Sequence, residues 1–470
     1  MKKTLLSLFE SKGRSVLVLT IIFALTLNIL GSFQLTDRTD ALAADIVGGI
    51  YAPFYGWAHR VGQDKITVLL VDRQALDDIG TDRWPPDYQS EADFAEWAAN
   101  YHPAAIFLDF YYPRARRTNS AAPALDAFSG NIRSSANSAG DVDSEGIGNL
   151  AMRLQRIRQA GTPVLIGPVG DDAALAPIAA LPQVGIERRQ LPRGGYPVRD
   201  SQGHLQTAFA LYDLICPKVR DRCPDVAKEL GDHDLAIQWG FGAGRTMPAQ
   251  FVLEQCRGGN VFARVWSAVK IAFAGFVPSA NRGYDKCSYS DAFSIAWLRN
   301  PPAGFDPRPL IENRVVLIGS DLNWLADFID APLLGSVPGV MAHAMALDNL
   351  LQSGSHAARY SHPFIGAMTY RDAMEMVLVL LGLLVIVATH EILLTRAKPG
   401  IPSRISWWLT QVAVVLCIPV LAGLLMSWVL AWPALNVITI AGLGLWELFL
   451  LAHDLWAELE KEQPRGAAPE

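Results

Sequence analysis

The sequence predicts an α/β fold: an outer domain built on a mixed or parallel sheet with flanking helices, joined to about four transmembrane helices. Three observations carry this expectation. Short apolar runs in the middle of the chain each close on an aspartate, the segment between two of them has helical spacing, and both ends of the chain hold uncharged stretches of membrane-spanning length. The bulk composition agrees. Of 470 residues, 51% are apolar and only 18% charged, below the roughly 25% of an average soluble protein. Mean hydropathy is +0.20, yet the middle of the chain is polar, so the apolar surplus sits at the ends.

Ser15 to Phe33 carries no charge and is long enough to cross about 30 Å of hydrocarbon as a helix. Lys2, Lys3, Lys12 and Arg14 precede it and place residues 1–14 in the cytoplasm. Ala41-Leu42-Ala43 offers a competing signal-peptide cleavage site, but it lies about ten residues past the apolar run, farther than such sites usually lie. Three more apolar segments follow Tyr370: Ala373 to Leu394, Trp407 to Met426 and Pro433 to Leu451. Arg396, Lys398 and Arg404 in the first link, and Lys461 and Arg465 after the last segment, read as cytoplasmic; Trp428 and Trp432 read as anchors on the outer side. Four crossings leave both termini inside, residues 453–470 as a cytoplasmic tail, and residues 45–360 outside. The expected location is the cell inner membrane, multi-pass, with the large domain in the periplasm.

The cysteines point to the same compartment. Cys216, Cys223, Cys256 and Cys287 fall in the polar middle, an even set that fits two disulfides in an oxidising compartment. Three connectivities are open; the short spacing favours Cys216 with Cys223, leaving Cys256 with Cys287, and buried free thiols are the competing reading. No histidine accompanies them at ligand spacing, so no metal is assigned. A net charge of −6 argues against nucleic acid as a partner.

Within the outer domain, Ile66 to Val71 and Ala105 to Leu108 read as buried strands, closed by Asp72 and Asp109. Ser90 to Asn100 between them reads as a helix with Ser90 as its N-cap. A second helix is expected over Asn149 to Gln159, then a short strand at Val164 to Ile166. Tyr112 to Gly148 has no period and reads as a loop. Arg314 to Ile318 is the clearest strand; it enters Gly319, Ser320 and Asp321 and a turn-rich stretch through Asp327, Asp330 and Pro332. A helix follows from Val340 to Gln352, ended by Gly354.

These segments carry a resemblance. ITVLLVDRQALDDIG, RWPPDY, AAIFLDFYYPRAR and NRVVLIGSDLNWLADFIDAPLLGSVPGVMAHAMALDNLL together resemble the CHASE type 2 domain, and PGVMAHAMALDNLL is the most specific block. That family is an extracellular sensory domain found before cyclases, histidine kinases and serine/threonine kinases, with one helix before it and about three after it. The resemblance implies a sensor, signal transduction across a membrane and a homodimer. Two departures stand out. Residues 453–470 are too short for a catalytic output domain, so the expected partner is a separate membrane or cytoplasmic protein. Ala331 stands where the family tends to have threonine.

In open α/β sheets ligands bind beyond the carboxyl ends of the strands. Asp72, Asp109 and Asp321 would emerge there, and with Asp327 and His343 they are the candidate ligand-binding residues. An acidic cluster of this kind could hold a cation or an amine, or act as an acid–base pair; the competing reading is that each aspartate caps a turn or pairs with Arg73, Arg83 or Arg114. His343 beside Met341, Ala344 and Leu347 reads first as a core or capping residue. There is no G-x-S-x-G elbow, P-loop or H-E-x-x-H, so no catalytic residue and no cofactor is assigned and an enzyme is not expected. The alternative to a sensor is a structural or assembly subunit that docks through its outer domain.

Overall fold

The computed structural model describes residues 52–56, 61–116, 142–187, 195–252 and 288–354, with gaps at 232, 243, 245, 323, 326 and 332–333, together with 266, 363–365, 368–369 and 377. One compact unit comprises residues 48–190 and 194–359; a second comprises 1–47, 191–193 and 360–470. In the second unit Pro363–Ile365 pairs antiparallel with Met368–Thr369. Among the described residues no helix is long and apolar enough to cross a membrane. The four expected membrane segments lie outside the described residues, save for the single residue Val377. Cys256 and Cys287 also lie outside them.

The first unit is organised by a five-stranded sheet. Its strands are β1 (Ile66–Val71), β2 (Ala105–Leu108), β3 (Val164–Ile166), β4 (Asp291–Ser294) and β5 (Val315–Ser320). Their order is β3-β2-β5-β1-β4 and every pairing is parallel, so the sheet is parallel, not mixed. All six residues of β1 are buried, Thr67 included, because its hydroxyl donates to the Leu310 carbonyl. A strand covered on both faces must be apolar at consecutive positions, which is why β1, β2 and β3 read as unbroken runs. β4 was not expected; a four-residue run beginning with a charged residue gives little signal against its surroundings. β5 continues two residues past the expected end, since Gly319 and Ser320 pair with Leu70 and Val71. Gly319 is required there: a Cβ would stand 2.5 Å from Cβ of Val340.

Helices cover both faces. On one face lie α1 (Arg73–Asp78), α2 (Tyr88–Ala99) and α3 (Ser144–Gln159), packed on Leu69, Ile106, Val164 and Val316. On the other lie α4 (Thr207–Val219) and α5 (Gly339–Ser353), packed on Val68, Phe107, Leu165 and Leu317. Alternate strand residues thus feed two separate cores. Each fully buried Leu, Ile or Val is worth roughly 1.5–3 kcal/mol, so the strands and the helices packed on them both contribute to the stability of the unit.

Several boundaries moved for physical reasons. α2 begins at Tyr88, because Asp87, not Ser90, is the N-cap and accepts the Ser90 N–H at 2.7 Å. α3 begins at Ser144 inside the stretch read as a loop: Asp143 caps it by accepting Gly146 N–H at 2.9 Å, and Ile147 is buried, which outweighs the two glycines. The turn-rich stretch after β5 contains an antiparallel hairpin, β6 (Phe328–Ala331) with β7 (Gly335–Pro338), and Ala331 is buried at its end. α5 ends at Gly354 with φ 57°, a left-handed conformation that favours glycine. Cys216 and Cys223 form a disulfide across the end of α4. In the chain-entropy account so short a loop is worth about 2–3 kcal/mol.

Candidate functional site

The route of the chain sets the site. After β1 and β2 it passes to helices on one face, whereas after β5, which lies between those two strands, it passes to α5 on the other. The outgoing connections therefore diverge on both sides of β5, and a divergence of this kind opens a crevice beyond the carboxyl ends of the strands. Asp72, Asp109 and Asp321 follow β1, β2 and β5 directly. Their backbones continue the ladder: Asp109 N donates to Ile318 O at 2.8 Å and Asp321 N to Val71 O at 3.0 Å.

The side chains divide into two pairs. Asp72 is the N-cap of α1; its Oδ1 accepts Ala75 N–H at 2.9 Å and the Ser294 hydroxyl at 2.9 Å. It therefore fastens α1 to the end of β4. Asp321 has its carboxyl pushed up to about 6, first by burial and then by repulsion from Asp72. Two carboxylates facing one crevice disfavour a second negative charge, so a cationic or hydrogen-bond-donating group between them relieves the conflict.

The second pair is Asp109 with His343. The Asp109 side chain is 3% exposed and the His343 ring 0%, with Nε2 lying 3.9 Å from Asp109 Oδ1. That separation permits electrostatic attraction to a protonated ring but is too long for a hydrogen bond. Nδ1 lies 2.7 Å from the Tyr196 hydroxyl, which itself accepts Ala208 N–H at 2.9 Å at the start of α4. We assign the Tyr196 proton to the bond with Nδ1, which leaves the ring proton on Nε2, the nitrogen facing Asp109. Phe107 and Tyr196 meet the ring edge-on, with centroids 5.7 and 5.4 Å away. The fifth expected residue, Asp327, contributes its carbonyl, which accepts Gly339 N–H at 2.8 Å and fixes the start of α5.

The sequence reading missed Ser294, Tyr196 and a cluster beside the crevice. Glu91 of α2 is fully buried, paired with Arg116 at 2.7 Å and accepting the Tyr112 hydroxyl at 3.0 Å. The Arg116 guanidinium sits 4.5 Å from the Tyr88 ring centroid. Burial raises the Glu91 carboxyl, with Arg116 opposing it. Only the paired aromatics of DFYYPRAR hinted at this cluster. Among the described residues no group of three His, Cys, Asp or Glu is placed to hold a metal ion. Tyr111 and Trp324, from the loops after β2 and β5, are exposed at 54% and 51% and give that edge of the sheet apolar surface.

A parallel sheet between two helical layers, with its candidate site where the connections diverge, defines a three-layer α/β domain. The chain belongs to the CHASE2 domain family: the match covers residues 16–388. CHASE2 is an extracellular sensory domain family. No curated protein and no solved structure matches the chain.

Proposed function

We propose that the protein is a membrane-anchored extracytoplasmic sensor that reads a small ligand in the crevice beside β5 and signals through a separate protein partner. Membership of a sensory family over residues 16–388 is the observation that carries this reading. The crevice chemistry supports a ligand bearing a cationic or donor group: Asp72 and Asp321 repel one another there, and Asp109 stands beside buried His343. Anchoring is supported by the uncharged segments 15–33, 373–394, 407–426 and 433–451 with their basic flanks. The capping role of Asp72 and the absence of a nucleophile motif in the sequence favour recognition over catalysis.

Crosslinking of the full chain in intact cells, followed by identification of what is captured, tests the proposal. Capture of a signalling protein in amounts that change in Asp109→Asn and Asp321→Asn variants, with the variants still folded, is the expected result. A stable complex whose composition is the same in wild type and both variants would overturn it in favour of a docking subunit, a reading to which exposed Tyr111 and Trp324 lend some support.

A further inference from the structure

At the opposite, amino end of the sheet the first described segment of the unit meets the last turns of its final helix. Tyr55 Oη donates to Asp348 Oδ2 at 2.6 Å. Asn349 Nδ2 donates to Tyr55 Oη at 2.7 Å and to the Gln238 carbonyl at 2.9 Å, while Gln238 N–H returns a bond to Asn349 Oδ1 at 2.7 Å. Val61 N–H reaches Gln352 Oε1 at 3.3 Å. Segments nearly three hundred residues apart in the chain, 293 between Tyr55 and Asp348 and 291 between Val61 and Gln352, are thus joined by hydrogen bonds to side chains of the final turns.

Asp348 is an unusual residue on which to build such a joint. It is fully buried, and its Oδ1 has no hydrogen-bond partner among the described residues. That oxygen lies against Gly62, where a Cβ would stand 2.1 Å away. Among the described residues, the titratable groups facing it are Tyr55 from the incoming segment and Asp64 from the single turn Gln63–Lys65 ahead of β1. Behind Tyr55 stands the Tyr289 ring, edge-on at 5.1 Å. α4, which also packs on α5, brings Tyr212 and, just past its end, Arg220, whose guanidinium bonds the carbonyls of Leu351 and Gln352. No cation pairs with Asp348 among the described residues. A buried carboxyl with one bonded oxygen and one bare oxygen is comfortable neutral and costly charged.

We propose that the Tyr55–Asp348–Asn349 joint is a proton-operated latch, in which a protonated Asp348 locks the incoming segment to the outgoing helix and loss of that proton loosens them. Burial raises the Asp348 carboxyl to about 7; the bond from Tyr55 opposes this and repulsion from Asp64 adds to it. In the open joint the carboxyl meets water and titrates in the ordinary carboxylate range. The closed form therefore binds the proton more tightly. Opening is hardest in acid, grows about tenfold per pH unit between about pH 4 and about pH 7, and levels off above that. The latch is independent of ligand recognition, since none of its groups belongs to the crevice.

Hydrogen exchange of the full chain in lipid nanodiscs, followed over residues 52–62 and 345–353 from pH 5 to pH 8.5 and corrected for intrinsic rates, tests the latch. The expected wild-type result is opening that rises about tenfold per pH unit and levels off near pH 7, with Asp348→Asn holding these segments closed and flat across the range. Opening that does not change with pH in the wild type, or an identical pH step in Asp348→Asn, would overturn it. Should Asp348→Asn not fold, Tyr55→Phe decides: raised opening already at pH 5 supports the latch, and wild-type protection at every pH refutes it.

Discussion

Two aspartates at the carboxyl end of the sheet, Asp72 and Asp321, and two at the amino end, Asp291 and Asp348, stand in opposite circumstances. At the carboxyl end, Asp72 and Asp321 are half-buried, and Asp72 accepts from the turn it begins and from the Ser294 hydroxyl. At the amino end, Asp291 and Asp348 are buried to 1% and 0% exposure, and each is held by a side-chain partner. Asp291 pairs with Arg314 at 2.7 Å, and Arg314 also donates to Thr246 at 2.6 Å; Asp348 takes Tyr55. The lesson is one of solvation. A carboxylate near water needs little help and stays available to a ligand, whereas a carboxylate in the core must have a dedicated partner or give up its charge.

Three substitutions probe that contrast, and the largest effect is expected at the amino end. Arg314→Met leaves Asp291 buried without its cation and should cost about 3–5 kcal/mol, read by chemical denaturation of the purified chain. Because burial already raises the Asp291 carboxyl, with Arg314 opposing, the loss should be larger at pH 8 than at pH 5. A cost under about 1 kcal/mol would erase the distinction between the ends.

At the carboxyl end Asp72→Ala removes an N-cap and the acceptor for Ser294, so about 1–2 kcal/mol should be lost in the same assay. A loss as large as that of Arg314→Met would mean that this end is as structural as the other.

The smallest effect should come from Asp321→Asn. The Asp321 carboxyl is raised to about 6 in the folded chain, so the charge carries a penalty that is absent below about pH 4, grows as pH rises to about 6 and stays constant above. The variant should match the wild type at pH 4 and exceed it at pH 8 by about 1 kcal/mol, after allowance for solvent screening. Thermal unfolding at the two pH values reads the difference directly, and a variant less stable at pH 8 would show that the Asp321 charge is used within the fold.

These predictions also divide what could be read in the chain from what could not. β1, β2 and β3 were legible to the residue, because a strand buried on both faces is apolar at nearly every position, and β1 and β2 end at the first group that seeks water. For the same reason the aspartates of the crevice were visible as a set: they stand where buried runs stop. The Cys216–Cys223 pairing was favoured by its short spacing and is present. Gly354 announced the end of α5 through the backbone conformation it permits.

The amino end was hidden. Asp348 sits in ALDNLL, where a polar residue on a helix reads as its solvent face, and nothing in the local sequence tells that Tyr55 will arrive to cover it. Asp291 and Arg314 likewise look like surface charges until β4 is set beside β1 and Arg314 is turned inward. The sequence by itself determined the strands β1, β2, β3 and β5, the aspartates after β1, β2 and β5, and the family. Only the tertiary structure decided the strand order, the crevice on either side of β5 and the joint at Asp348. Local patterns report whether a residue seeks water, while the partners that replace water come from parts of the chain brought together only by folding.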